Sequence, residues 1–133
     1  FSDYEEGSWS PVPFGSTTAG TYTSSYIDGD YVLVGKMCFI TCTIAVTSFT
    51  GTGNFNISGL PFAAAPVASL GMVQYNTCPF ATLTSTNQNL VAQIGTNITF
   101  RASSSVAGGG FVTPQCSSST ISYLRVSGCY EVA

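Results

Sequence analysis

The chain has 133 residues, enough for one domain to bury a substantial apolar core, so no second domain is required. Charged residues make up 7%, against about 25% in an ordinary soluble protein; solubility therefore rests mainly on the 35 serines and threonines. A net charge of −3 with only Lys36, Arg101 and Arg125 as cations leaves no basic stripe for nucleic acid, and no window approaches the roughly 18 consecutive apolar residues of a membrane helix.

In chain order, the first informative stretch is Tyr4-Glu5-Glu6-Gly7-Ser8-Trp9-Ser10-Pro11-Val12, where adjacent carboxylates stand ahead of the only tryptophan and a proline. Asp28-Gly29-Asp30 and Gly35-Lys36 then carry turn chemistry. From Met37 to Thr47 the even positions Cys38, Ile40, Cys42, Ile44 and Val46 alternate with Phe39, Thr41, Thr43, Ala45 and Thr47. This period of two, rich in β-branched residues, predicts a long strand with one strongly apolar face. Shorter alternations follow at Phe55 and Ile57, at Ile98 and Phe100, and through Leu124, Val126, Tyr130 and Val132. Gly51-Thr52-Gly53, Asn87-Gln88-Asn89 and Gly95-Thr96-Asn97 punctuate them, and Ser103 to Thr120 reads as one long connection. No helical spacing with caps is convincing, and short strands at such intervals favour antiparallel pairing. The expected fold is all-β, an antiparallel β-sandwich of jelly-roll-like character. An immunoglobulin pattern does not fit, because Trp9 precedes every cysteine.

Little here supports catalysis. There is no histidine, so Ser-His-Asp and Cys-His arrangements are excluded from this chain alone. The single lysine, Lys36, sits in a turn, where a solvated ammonium is a poor base. Two carboxyls could in principle hydrolyse a glycoside, but the acids fall at turns and near the termini. No catalytic residue, cofactor or metal site is expected: Asp28 and Asp30 supply too few oxygens for Ca²⁺, and five cysteines without histidine or a CxxC pair make a poor zinc site. Cys38 and Cys42 lie roughly 13 Å apart along one strand face, beyond the separation of about 7 Å that a disulfide bridges. They are expected to be core thiols.

The opening stretch, as Asp3-Tyr4-Glu5-Glu6-Gly7-Ser8-Trp9-Ser10-Pro11, resembles the D-(Y/F)-E-E-G-(T/S)-W-(T/S)-P signature near the start of carboxy-terminal domains of bacteriophage tail fibres and tailspikes. Gly29-Asp30-Tyr31-Val32-Leu33-Val34-Gly35-Lys36 is similar to that family's G-x-Y-x-x-(I/V)-G-(N/K) block, and Ile57-Ser58-Gly59-Leu60-Pro61-Phe62 to its I-x-G-L-P-F block. Val126 to Tyr130 is similar to its closing strand, whereas Val67 to Thr120 shares only general character. The resemblance implies a homotrimeric knob at the distal end of a tail fibre in the virion, recognising a host cell-surface glycan or outer-membrane protein. Residues 1–8 would form the junction to an upstream fibre shaft and residues 9–133 the knob, with Tyr4, Glu5 and Glu6, and Trp9 at the first position of the knob, as the junction residues. The alternatives are a trimerisation cap without receptor contact and an accessory domain of a carbohydrate-cleaving tailspike.

The composition itself also favours assembly, since so apolar a chain has more β surface to cover than one sandwich hides. Receptor contact is expected in the long connection, where Phe111, Thr113 and Gln115 follow a flexible glycine run. Phe49, Tyr75 and Phe80 are the alternative contacts.

Overall fold

The alternation from Met37 is realised as β4 (Met37–Phe49), whose Cys38, Ile40, Cys42, Ile44 and Val46 are all buried. The computed structural model describes residues 4–66, 69–76, 89–103, 111–112, 114 and 121–133, and none of these is helical. The other strands are β1 (Tyr4–Ser8), β2 (Val12–Gly15), β3 (Tyr22–Val34), β5 (Phe55–Ser58), β6 (Ser69–Asn76), β7 (Asn89–Ile94), β8 (Ile98–Ser103), β9 (Phe111–Val112) and β10 (Ile121–Glu131). The protein is all-β, as its alternation predicts.

Every named pair is antiparallel, and the strands form one sheet in the order β1-β3-β4-β10-β6-β7-β8-β5-β2, with β9 on β8. β10 enters the middle of the sheet, pairing with β4 on one side and β6 on the other. Although four strands separate β4 from β5 in that order, the rings of Phe49 and Phe55 meet at 5.6 Å, and Phe55 in turn meets Phe100 of β8 at 5.6 Å. The sheet therefore curls into a half-barrel whose two halves face each other across the core, a sandwich-like arrangement joined through a continuous ladder. Ile44, Val46, Ile57, Ile94, Ile98, Leu124 and Val126 fill it.

β1 and β2 lie at opposite edges of the sheet, so Trp9, Ser10 and Pro11 carry the chain from one edge to the other. Trp9 donates its backbone N–H to Gly29 O at 2.9 Å and its indole Nε1–H to Asp30 O at 3.2 Å, and the residue is buried. A Cβ at Gly29 would stand 2.6 Å from Trp9 O and 3.0 Å from Pro11 Cδ. On the opposite side, a Cβ at Gly59 would stand 2.3 Å from Ser10 O, at a residue whose φ is +99°. The crossing is thus seated between two glycines that leave it room.

This corrects the sequence reading of Asp28-Gly29-Asp30 as a turn: all three residues lie within β3. Gly29 serves the close approach of another backbone, a long-range demand that local composition does not reveal. Gly35-Lys36, Gly51-Thr52-Gly53 and Gly95-Thr96-Asn97 do fall between strands, as expected.

Gly29→Ala and Gly59→Ala should each lower stability by about 1–3 kcal/mol, the usual range for inserting a methyl into a filled site. Gly95→Ala, whose added Cβ meets nothing within 4 Å, should stay within about 0.5 kcal/mol. Urea denaturation of the three variants measures this; equal losses at all three positions would remove the crossing as the cause.

Candidate functional site

The blocks picked out in the sequence meet at one place. Tyr31 on β3 packs edge-on against Phe62, with ring centroids 5.2 Å apart at 89°. Tyr130 on β10 donates its hydroxyl to Phe62 O at 2.9 Å and accepts the Phe62 N–H at 3.3 Å. Its ring is buried, so these bonds satisfy a hydroxyl and a loop backbone that would otherwise be costly to bury. Gly29 and Gly59 seat the Trp9 crossing, and Gly7 lies beneath the Tyr31 ring, which a Cβ would meet at 2.9 Å.

The paired acids belong to the same construction. Tyr31 donates its hydroxyl to Glu5 Oε1 at 2.6 Å, and Tyr4 donates to Glu6 Oε2 at 2.8 Å. The Glu5 carboxylate raises the Tyr31 hydroxyl above its ordinary range, chiefly through that hydrogen bond. The segment expected to be a junction is an edge strand, with Tyr4 to Ser8 in register against Val34 to Asp30. Among the described residues, no three His, Cys, Asp or Glu side chains gather as a metal site.

Of the residues expected for receptor contact, Phe49, Tyr75 and Phe111 fall on three different strands, β4, β6 and β9. Phe49 is only 2% exposed and packs on Phe55; it is a core residue, a correction to its expectation as a receptor contact, because a register irregularity at Thr47, where Thr23 faces Ser48 and Ser24 faces Val46, interrupts the alternation and turns its side chain to the inner face of β4. Tyr75 lies in β6 opposite Leu124. Phe111 lies in β9 opposite Ser103, so the supposed single long connection includes a short strand. Pro114 O also accepts the Phe55 N–H at 3.1 Å. Thr113, Gln115 and Phe80 lie outside the described residues.

Beside this strand is a polar cleft that sequence reasoning missed. β5 and β8 pair only at Ile57 and Ile98, and where they diverge Asn54, Asn56, Gln93, Thr99, Phe100 and Arg101 line a cleft of about 200 Å³. Arg101 Nε–H donates to Gln93 Oε1 at 3.1 Å, fixing that amide. Three amides, a hydroxyl and a guanidinium supply both donors and acceptors to a small ligand. The outer-face positions of β7 and β8 carry the only signal, and it emerges once their register is known. No protein-family model, curated protein or solved structure matches the chain.

Cys38, Cys42 and Cys129 are free thiols. Cys38 and Cys42 are buried, as strand alternation requires; Cys78 and Cys116 lie outside the described residues. Burial pushes the Cys42 thiol from 9.0 up to about 12, against the opposing Val126 backbone hydrogen bond and the Arg125 charge. Burial likewise raises the Cys38 thiol, with the Tyr130 hydrogen bond opposing it. Because the folded state holds the Cys42 proton more tightly than the unfolded chain, this contribution is intact below pH 9.0 and declines between 9.0 and about 12. The slope in that window should reach at most about 1.4 kcal/mol per pH unit for this thiol. Cys42→Ala should cost about 1–2 kcal/mol at neutral pH and flatten the alkaline decline in urea titrations; an unchanged slope would show that Cys42 does not hold its proton.

Proposed function

We propose that this chain is the receptor-attachment domain at the distal, carboxy-terminal end of a bacteriophage tail fibre. It acts without catalysis, as a homotrimeric knob that meets a host cell-surface glycan or outer-membrane protein. The observation that carries the reading is the convergence of the four resembling blocks. Trp9 and Pro11, Gly29 and Tyr31, Gly59 and Phe62, and Tyr130 form one contact network, so the motifs are coupled by packing. A set of short matches arising by chance has no reason to assemble in this way.

The network accounts for Glu5 and Glu6 as partners of tyrosine hydroxyls, which favours an architectural role over acid–base chemistry. Recognition then falls to surfaces the motifs do not occupy. The Asn54 and Asn56 cleft is the best of these, because β9 and Pro114 run beside it, and loops carried on a rigid sheet are common recognition elements. The same concentration of motif residues in architecture also suits the alternative of a trimerisation cap without receptor contact.

Fluorescently labelled domain applied to intact cells of a panel of bacterial strains separates the two. Retention on some strains and not others is expected, and Asn54→Ala combined with Asn56→Ala, its folding checked by circular dichroism, should weaken it about tenfold, a loss of roughly 1.4 kcal/mol. Failure to bind any strain would favour the cap, and undiminished binding by the double variant would move the contact away from this cleft.

A further inference from the structure

On the outer face of the sheet, one registered row runs across seven strands: Ser8, Asp30, Thr41, Ser127, Met72, Val91 and Arg101. Its neighbouring row includes Val32, Phe39 and Cys129 on β3, β4 and β10. The part of this face around Phe39, Leu70 and Met72 is apolar and uncovered, and Arg125 of β10 stands two residues beyond Ser127, donating to Thr43 Oγ1 at 3.1 Å. Met72 is 79% exposed, Leu70 70% and Phe39 49%. Between these large side chains, β10 presents only the small Ser127 and Cys129, leaving a trough of about 500 Å³ lined by Phe39, Leu70 and Met72. Such large exposed apolar groups in one patch are the mark of an interaction surface, and here projecting side chains and a trough able to receive them occur on the same face.

The two flanks of the face carry opposite charge. Glu6 and Asp30 border a shallow cleft on β1 and β3, whereas Arg101 ends the row on β8. Asp30 and Arg101 are five strands apart in the sheet, about 24 Å along it, too far to pair within one chain. A second copy facing the first about an axis parallel to the strands, or following it around a closed ring, brings its Arg101 flank toward the Asp30 flank. The same placement sets Leu70 and Met72 against the neighbouring trough. A net charge of −3 opposes docking on an anionic membrane.

We infer that the outer face of β4, β10 and β6 is the surface through which copies of this chain assemble, with Leu70, Met72 and Phe39 at its centre and an Asp30 to Arg101 contact between copies at its rim. A stoichiometry of three rests on the fibre reading proposed above; the choice of face and of a second copy as its occupant does not. The Asn54 and Asn56 cleft, beside Arg101, would then lie close to a subunit boundary.

Light scattering on the purified chain at micromolar concentration should give a multiple of 13.8 kDa. Leu70→Asp and Met72→Asp, at exposed positions, should fold normally by circular dichroism and run as monomers, with self-association at least about a hundredfold weaker. Asp30→Arg and Arg101→Asp should each weaken assembly about tenfold, and the doubly reversed chain should recover it. Cys129, in the trough, should be alkylated more slowly as protein concentration rises, read by peptide mass spectrometry. A monomeric parent chain overturns the inference, whether or not it binds phosphatidylcholine vesicles through this face. So does undisturbed assembly of both aspartate variants, or failure of the double reversal to recover. Assembly through this face by a chain that binds no cell would leave the inference standing and remove the attachment role.

Discussion

The structure depends on one close approach: the backbone of Trp9, Ser10 and Pro11 passing between Gly29 and Gly59. A single curled sheet has two free edges, and unpaired edges are open to fraying and to pairing with other chains. Here the strands at those edges, β1 and β2, are consecutive in sequence, so the short crossing fastens one side of the half-barrel to the other. The Trp9 hydrogen bonds to Gly29 and Asp30 fix the position of that fastening. The burial of Phe49 against Phe55 depends on the two halves staying together. A methyl group at either glycine pushes on backbone that has no alternative path, so the constraint is steric before it is energetic.

What could be read from sequence is what short-range chemistry controls. Cys38, Ile40, Cys42, Ile44 and Val46 announced the inner face of β4 because strand side chains alternate with period two, and they are buried as that pattern requires. Asp28-Gly29-Asp30 was misread because a glycine between acids has turn composition, while its actual service is to a backbone some twenty residues away in sequence. Phe49, expected as a contact beside the Gly51 turn, is buried because β4 continues through it and a register irregularity at Thr47, where Thr23 faces Ser48 and Ser24 faces Val46, shifts the alternation and turns its ring inward. The polar cleft was illegible for a third reason: its residues come from β5, β7 and β8 and the turn before β5, and only the register places Gln93 beside Thr99 and Asn56 within reach.

The division of labour among residues bears on function. The resembling blocks are occupied with holding the domain together: glycines make room, Trp9 and Tyr130 bond to backbone, and tyrosine hydroxyls engage Glu5 and Glu6. Such residues specify a scaffold and leave its target unspecified, since a ligand-contacting residue must keep polar groups available to the ligand. The Asn54 and Asn56 cleft lies outside the resembling blocks, and its amides suit a chain with only 7% charge. Neutral hydrogen-bonding groups recognise hydroxyls and amides without needing an oppositely charged partner, and their affinity depends on several bonds aligning together.

A small open cleft of this kind gives modest affinity alone, because few groups can be desolvated in about 200 Å³. Joining copies changes the outcome: once one cleft is engaged, the others meet a repetitive cell surface at a high effective concentration, and avidity exceeds single-site affinity by about 10²–10⁴ where the geometry permits. The proposed attachment therefore asks for assembly, and the uncovered outer face supplies a physical reason for it. Leu70 and Met72 leave a large apolar area in water in the isolated chain, a state that self-association relieves. On this view one sheet serves two needs. Its inner face holds each domain together, and its outer face joins copies so that weak sites near their boundaries act in concert.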